Sequence, residues 1–194
     1  MRHLRQEKPD PTRLIEEKIQ TAQEIFIIWG EDLKKDALIK ALLPRYEKAV
    51  NASNKAMEEA GTFKECYVCS VIDKKGCCKI GLENECSVLI LLLNLLFDVK
   101  FPEEREVPGR CFFVGPVGCK IFARPMLCRD YFCLRLQKML SEKEMAHITQ
   151  VLNEELTLLH QINTRMRELL EEWTGRFLLE YDLTGYGVDY RRPL

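Results

Sequence analysis

Residues 141–175 read SEKEMAHITQVLNEELTLLHQINTRMRELLEEWTG and predict one long amphipathic helix. Ser141, followed three positions later by Glu144, forms a capping box, which satisfies the first free backbone N–H groups of a helix. Apolar residues then recur every three or four positions: Met145, Ile148, Leu152, Leu156, Leu159, Ile162, Met166, Leu169 and Trp173. Gly175 ends the pattern, so we expect a helix about 50 Å long at a rise of 1.5 Å per residue.

An apolar stripe of this length needs a partner surface. It packs either against the N-terminal helices of the same chain or against a second chain, because apolar spacings near 3.5 residues suit coiled coils. We therefore expect a protein partner or a homodimer that uses residues 12–60 and 141–175. Both arrangements remain open from the sequence.

Two further helices are predicted before the cysteines. Asp10 followed by Pro11 is a helix-start signal, and Gly30 is expected to end this first helix. A second helical stretch runs from about residue 32 to residue 60, where Pro44 is expected to kink or split it and Gly61 to close it. The apolar sides of the two helices contain Ile15, Ile19, Ala22, Phe26, Trp29, Leu38, Leu42, Tyr46, Ala49, Val50 and Met57.

Composition indicates one compact globular domain of 194 residues, with 46% hydrophobic and 30% charged residues and a formal net charge of −1. That charge gives no reason to expect nucleic acid or an anionic membrane as a partner. The longest apolar run, 88–97, contains Asn94 and is far shorter than the roughly 20 residues of a membrane span. It predicts a short buried helix beginning at Ser87. Because residues 1–13 are polar and lack a secretory signal, we expect a cytoplasmic protein.

Cysteine usage is the most unusual feature of the chain. All nine cysteines lie between positions 66 and 133: Cys66, Cys69, Cys77, Cys78, Cys86, Cys111, Cys119, Cys128 and Cys133. A reducing compartment disfavours disulfides, and an odd number leaves at least one thiol unpaired. Two explanations for the nine cysteines remain, namely metal ligation or a set of reduced thiols in the core.

The spacing of these cysteines favours metal. Cys66 and Cys69 form a Cys-x-x-Cys pair, and such a pair on a turn lets two thiolates reach one metal ion. The neighbours Cys77 and Cys78 would point to opposite faces of an extended backbone. They indicate two metal sites, one polynuclear cluster, or one ligand beside one core thiol. We expect eight metal ligands: Cys66, Cys69, Cys77, Cys78, Cys111, Cys119, Cys128 and Cys133. Cys86 is the least expected ligand, because it precedes an apolar helix and is suited to packing.

Soft thiolates accept both zinc and iron–sulfur clusters. We favour an iron–sulfur cluster, since the adjacent pair and the surplus thiols suit a polynuclear anionic centre. Residues 105–138 contain seven basic and two acidic residues, a net charge of +5 that would complement such a centre. Arg124 and Arg129 flank Cys128 and are expected to donate hydrogen bonds to sulfur. No catalytic constellation is visible, and His147 and His160 lie outside the cysteine region.

Residues 111–131, CFFVGPVGCKIFARPMLCRDY, resemble the signature of the YkgJ-type cysteine-cluster family. That family is described as a zinc- or iron-chelating domain with a Cys-x2-Cys-x2-Cys-Cys block upstream. The positions that match are Cys111, Cys119, Arg124, Pro125, Cys128 and Arg129, with Cys66, Cys69, Cys77 and Cys78 upstream. This chain has seven residues, 70–76, before the adjacent pair where the family has two. The resemblance implies a metal centre on these cysteines.

The fold class expected is mainly α, with long amphipathic helices flanking a loop-rich, metal-stapled cysteine core. Four segments are predicted: helices in 1–62, the cysteine region 63–140, the long helix 141–175 and a C-terminal arm 176–194. The expected function is metal binding for electron transfer or cluster handling. A zinc-stapled protein-interaction module, and a metal-dependent enzyme or enzyme subunit, are the alternatives.

Overall fold

The computed structural model describes residues 10–175 of the chain, which are mainly helical. The predicted arm, 176–194, lies outside the described residues. The helices are α1 (Pro11–Lys35), α2 (Ala37–Glu59), α3 (Thr62–Tyr67), α4 (Val88–Leu96), α5 (Met126–Asp130), α6 (Leu134–Met139) and α7 (Glu142–Thr174). Two short strands, β1 (Val114–Gly115) and β2 (Gly118–Cys119), form an antiparallel hairpin.

Helix α7 confirms the prediction at both of its ends. The Ser141 hydroxyl accepts a hydrogen bond from the Glu144 amide at 3.3 Å, and the Glu144 carboxylate accepts one from the Ser141 amide at 2.8 Å. Gly175 adopts the left-handed conformation (φ 63°) that ends many helices. The apolar stripe packs chiefly on α2, so it is covered within the chain.

Helix α1 begins as predicted but ends later. The Asp10 carboxylate accepts a hydrogen bond from the Thr12 amide at 2.9 Å, and Pro11 occupies the first turn. The predicted stop at Gly30 is wrong, because this glycine is buried inside the helix and Leu33 beyond it packs into the core. The helix continues to Lys35, and Asp36 then caps the start of α2.

Helix α2 is not split by Pro44, contrary to one of the two predicted outcomes. Pro44 lies inside the single helix Ala37–Glu59 and is exposed. Lys40, whose carbonyl loses its helical donor at this proline, is exposed as well, so water can satisfy that group. The predicted end is confirmed by Gly61, which has φ 73°.

The core lies between two pairs of helices. Helix α1 packs on α4, α2 packs on α7, and α4 also contacts α7. Helix α4 is apolar on all sides and is almost wholly buried, which confirms the interpretation of 88–97 as core. Within residues 10–175, no helix combines the length and the apolar character needed to cross a membrane.

Asn94 ties α4 to the segment that leads to Cys128. It is fully buried, and its amide nitrogen donates to the carbonyls of Ile90 and Ala123, both at 2.8 Å. Its side-chain oxygen accepts from the amides of Phe122 at 2.8 Å and Ala123 at 3.0 Å. The one polar residue of the apolar run therefore satisfies the backbone of a buried loop.

Candidate metal centre

Six of the nine cysteines line a single cavity of about 250 Å³. They come from α3, the loop after it, the start of α4, the loop before β1, strand β2 and α5: Cys66, Cys78, Cys86, Cys111, Cys119 and Cys128. Phe63, Phe113 and Phe132 contribute apolar wall between the thiols. The fold thus gathers sulfur atoms that are up to 62 positions apart in the sequence.

The Cys-x-x-Cys pair lies on helical residues rather than on a turn of the kind that often holds such pairs. Cys66 belongs to α3, and Cys69 belongs to the π-helical turn Val68–Ile72 that continues it. The left-handed Gly61 ends α2 and allows helix to begin again at once. Residues three apart lie on one helical face, so the two thiols remain neighbours.

The loop at Gly76 wraps closely around the sulfur of Cys69. Gly76 has φ 78°, and a Cβ atom built on it would lie 2.6 Å from Cys69 Sγ. The neighbouring Lys75 amide donates to the Cys69 carbonyl at 2.8 Å. The glycine is required here both for its conformation and for the approach of the thiol.

Cys77 and Cys78 face different surroundings. Cys78 lines the cavity, and Cys77 is exposed. A hydrogen bond from the Cys78 thiol is the main cause that lowers the pKa of Cys77 to about 6. The same bond, followed by burial, raises the pKa of Cys78 far above its ordinary value. Of the two adjacent residues, therefore, Cys77 is the one that ionises readily, and Cys78 is the one that keeps its proton.

Two arginines join the upstream and downstream cysteine loops. The Cys111 amide donates to the Cys78 carbonyl at 3.1 Å, and the Arg110 guanidinium donates to the Lys75 carbonyl. Arg105 forms an ion pair with the buried Glu83. Arg110 is buried and Arg105 is largely covered, so these residues fix the loops rather than forming a solvated basic face.

Burial and mutual repulsion hold several thiols in the neutral form. Desolvation is the first cause that raises the pKa of Cys66 to about 11 and that of Cys128 to about 12. Cys77 then acts on Cys66, and Cys119 acts on Cys128, each in the same direction. Cys86 is fully surrounded, and its pKa is raised well above the ordinary value. A bound cation would favour the ionised form of these thiols over the neutral form, because its positive charge stabilises thiolates.

The donor set suits a metal, although its side chains do not converge on one point. Across residues 10–175, no three His, Cys, Asp or Glu side chains stand close enough together to hold a metal ion. The six thiols instead lie around the wall of the cavity.

The two arginines beside Cys128 have different partners. Arg124 lines the cavity, donates to the Ile121 carbonyl at 3.2 Å, and lies over the Phe63 ring at 5.8 Å from its centre. Arg129 also lines the cavity, and its guanidinium pairs with the Glu155 carboxylate of α7, with N–O distances of 2.7 and 2.6 Å. The expected donation from these arginines to sulfur stays a prediction.

Of the eight predicted ligands, five line the cavity and three lie outside its wall or at the surface. Cys133 caps the start of α6 and is half-buried, like Cys69. Cys86, the least expected ligand, is 2% exposed and belongs to the cavity wall. Its position before an apolar helix explains its burial, but no local pattern in the sequence indicates that Cys86 would be buried next to other thiols.

Comparison with known proteins adds no assignment. No protein-family model matches the chain, and neither the curated proteins nor the solved structures include a detectable match. The resemblance to the YkgJ-type signature therefore stays a prediction from the quoted residues.

Proposed function

We propose that this protein binds a thiolate-ligated metal centre in the cysteine-lined cavity. The observation that supports the proposal is that one cavity of about 250 Å³ is lined by six cysteines: Cys66, Cys78, Cys86, Cys111, Cys119 and Cys128. This volume is well above the roughly 10–15 Å³ that a cavity needs to hold one water, which leaves space for a metal centre between the thiols. Bound metal would supply the positive charge that lets buried sulfur atoms ionise.

An iron–sulfur cluster is the form of the centre that we favour. A structural zinc ion and an iron–sulfur cluster are each held by up to four cysteine thiolates, so six thiols leave surplus sulfur in either case, and the preference rests on the adjacent pair and the basic surroundings. The aromatic side chains of Phe63 and Phe113 would cover part of the centre, and the Arg124 guanidinium would complement its negative charge. We accordingly propose a redox or cluster-handling role in a reducing, cytoplasmic compartment.

A zinc-stapled interaction module is the second candidate, and exposed apolar residues favour it. Val117 and Tyr131 line the cavity yet are 91% and 54% exposed. Leu134, three positions after Tyr131, is 74% exposed. Apolar side chains at the rim of a site are typical of protein-binding surfaces. In that case the metal would only fix the loops.

Anaerobic purification followed by elemental analysis and visible spectroscopy separates the two candidates. An iron–sulfur centre gives a brown protein that contains both iron and inorganic sulfide. Stoichiometric zinc in a colourless protein would support the interaction module and refute the redox role. Protein that holds no zinc, iron or copper, although isolated without oxygen, would refute metal binding altogether.

A further inference from the structure

Arg129, which belongs to the wall of the cysteine-lined cavity, forms a buried, two-pronged ion pair with Glu155. Arg129 follows Cys128 in α5 and is 3% exposed, and Glu155 in the middle of α7 is 0% exposed. Their N–O distances are 2.7 and 2.6 Å, and the remaining guanidinium nitrogen lies 3.5 Å from Met57 Sδ. The pair thus joins α5 to α7, and the arginine also contacts α2.

Burial of this pair is expensive and is not explained by stability alone. Removing two charges from water costs several kcal/mol per ion, and apolar replacements of buried pairs are often neutral or stabilising. The surroundings are apolar, since burial is the first cause that raises the pKa of the neighbouring Tyr46, with the charge of Glu155 next. What the pair supplies that apolar side chains cannot is a fixed orientation between two planar groups.

Helix α5 needs such an anchor, because a helix this short is not stable without contacts to the rest of the fold. It has only five residues, and no side chain caps its start. A single turn of helix is unstable alone, since nucleation costs more than one turn of hydrogen bonds returns. Upstream, Asn94 fixes residues 122–123 through their backbone. Arg129 supplies the anchor on the other side of Cys128.

We propose that Glu155 is a positioning residue that, through Arg129, aims Cys128 into the cysteine-lined cavity. The inference rests on the proposed metal-binding function. Glu155 lies 26 positions after Arg129 and contributes to the geometry of the site without touching the thiols. Mutation of a residue that orients a metal ligand in this way typically lowers metal affinity by about 10- to 100-fold.

A paired apolar substitution separates positioning from stability. We expect Arg129→Met/Glu155→Leu to fold, because the two charges are replaced together. Cobalt(II) titration, followed by the thiolate charge-transfer absorption, should give a dissociation constant about 10- to 100-fold weaker than that of wild type. Arg165→Met is the matched control, since it removes an arginine that links the far part of α7 to Asp36. Its cobalt affinity should equal that of wild type.

Amide hydrogen exchange of metal-free protein provides a readout that does not depend on metal. Residues 126–130 should exchange faster in Arg129→Met/Glu155→Leu than in wild type, whereas exchange in α2 and α4 should not change. Should the double variant fail to fold, Glu155→Gln, which keeps the shape and loses the charge, is measured in its place.

The possible failures are distinguishable. Wild-type protein that binds no cobalt(II), zinc or iron would refute the proposed function. Unchanged exchange in residues 126–130 of the variant would refute the positioning role, whatever metal is bound. Wild-type cobalt affinity in the variant would refute it as well.

Discussion

Cys128 and Cys86 share one cavity but differ in their environments. Burial is the first cause that raises the pKa of both thiols, to about 12 for Cys128, where Arg124 partly opposes the rise, and well above the ordinary value for Cys86, which is fully buried before α4. A thiol that is expensive to ionise is the poorer ligand, because the metal binds the thiolate. The sequence-based ranking of the two cysteines is therefore also chemically reasonable.

We expect Cys128→Ser to lower metal affinity more than Cys86→Ser. Loss of a ligand should exceed the 10- to 100-fold effect of an orienting residue, whereas Cys86→Ser should leave metal content near wild type. Elemental analysis after anaerobic purification measures both. Cys86→Ala is the control for the buried hydroxyl that serine adds, which costs about 1–3 kcal/mol when it lacks a partner. Equal metal loss from Cys128→Ser and Cys86→Ala would make Cys86 a ligand.

The position of Glu155 in the sequence already indicates that its side chain is buried. Glu155 lies three positions after Leu152 and four before Leu159, which places it on the apolar face of α7. A carboxylate at such a position indicates a buried cationic partner. Which cation this is could not be predicted, because the contact with Arg129 depends on how α5 and α7 pack.

At the scale of elements, helix ends were predictable wherever the signal was local. Asp10, Ser87 and Ser141 each cap the helix that follows, because their side chains compete for nearby backbone amides. Gly30 misled the prediction, because its burial inside α1 depends on packing. Helices α3, α5 and α6 have five or six residues each, too few to show an apolar period.

Asp36 joins three helices and gives a prediction about pH. It caps α2 through the amides of Leu38 and Ile39, lies at the end of α1, and binds Arg165 of α7 at 2.8 Å. The hydrogen bond from Arg165 is the first cause that holds the pKa of Asp36 below its ordinary value. A lowered pKa stabilises the fold above the pKa of the unfolded chain, about 3.9, and this contribution is lost as the pH falls through the folded value.

We therefore expect Asp36→Asn to be less stable than wild type by about 1 kcal/mol at neutral pH, with a difference that shrinks below about pH 4. Asparagine still caps a helix and does not titrate, so the substitution isolates the charge. Urea unfolding at a series of pH values measures the difference. A difference that stays constant down to about pH 2 would show that the charge of Asp36 contributes nothing.

On the scale of the whole molecule, the long helices and the cysteine region share one apolar core, into which Phe112, Phe113 and Ile121 pack, but they differ in regular structure. The pairs α1–α4 and α2–α7 bury much of this apolar core. The cysteine loops contain only short helices and one hairpin, whose two strands have two residues each. The mainly helical class was predictable, because amphipathic periods are visible in sequence. The cavity was not, since it forms where loops far apart in the chain meet.

Metal removal should accordingly act on one part of the molecule. We expect chelation to leave the far-ultraviolet circular dichroism of the helices nearly unchanged and to speed amide exchange in residues 66–133, because bound metal is the cross-link of those loops. Wild-type protein reloaded with metal is the control. Exchange that is the same with and without metal would contradict a structural contribution from the centre.

The anchor of Cys128 on α7 has a consequence for biosynthesis. All nine thiols leave the ribosome before α7, since Cys133 precedes the end of that helix at Thr174 by 41 residues. At about 5–20 residues per second, translation of this stretch takes roughly 2 to 8 s. Throughout that interval Arg129 lacks its complete helical partner, so the proposed metal centre would reach its full affinity only after α7 has been made.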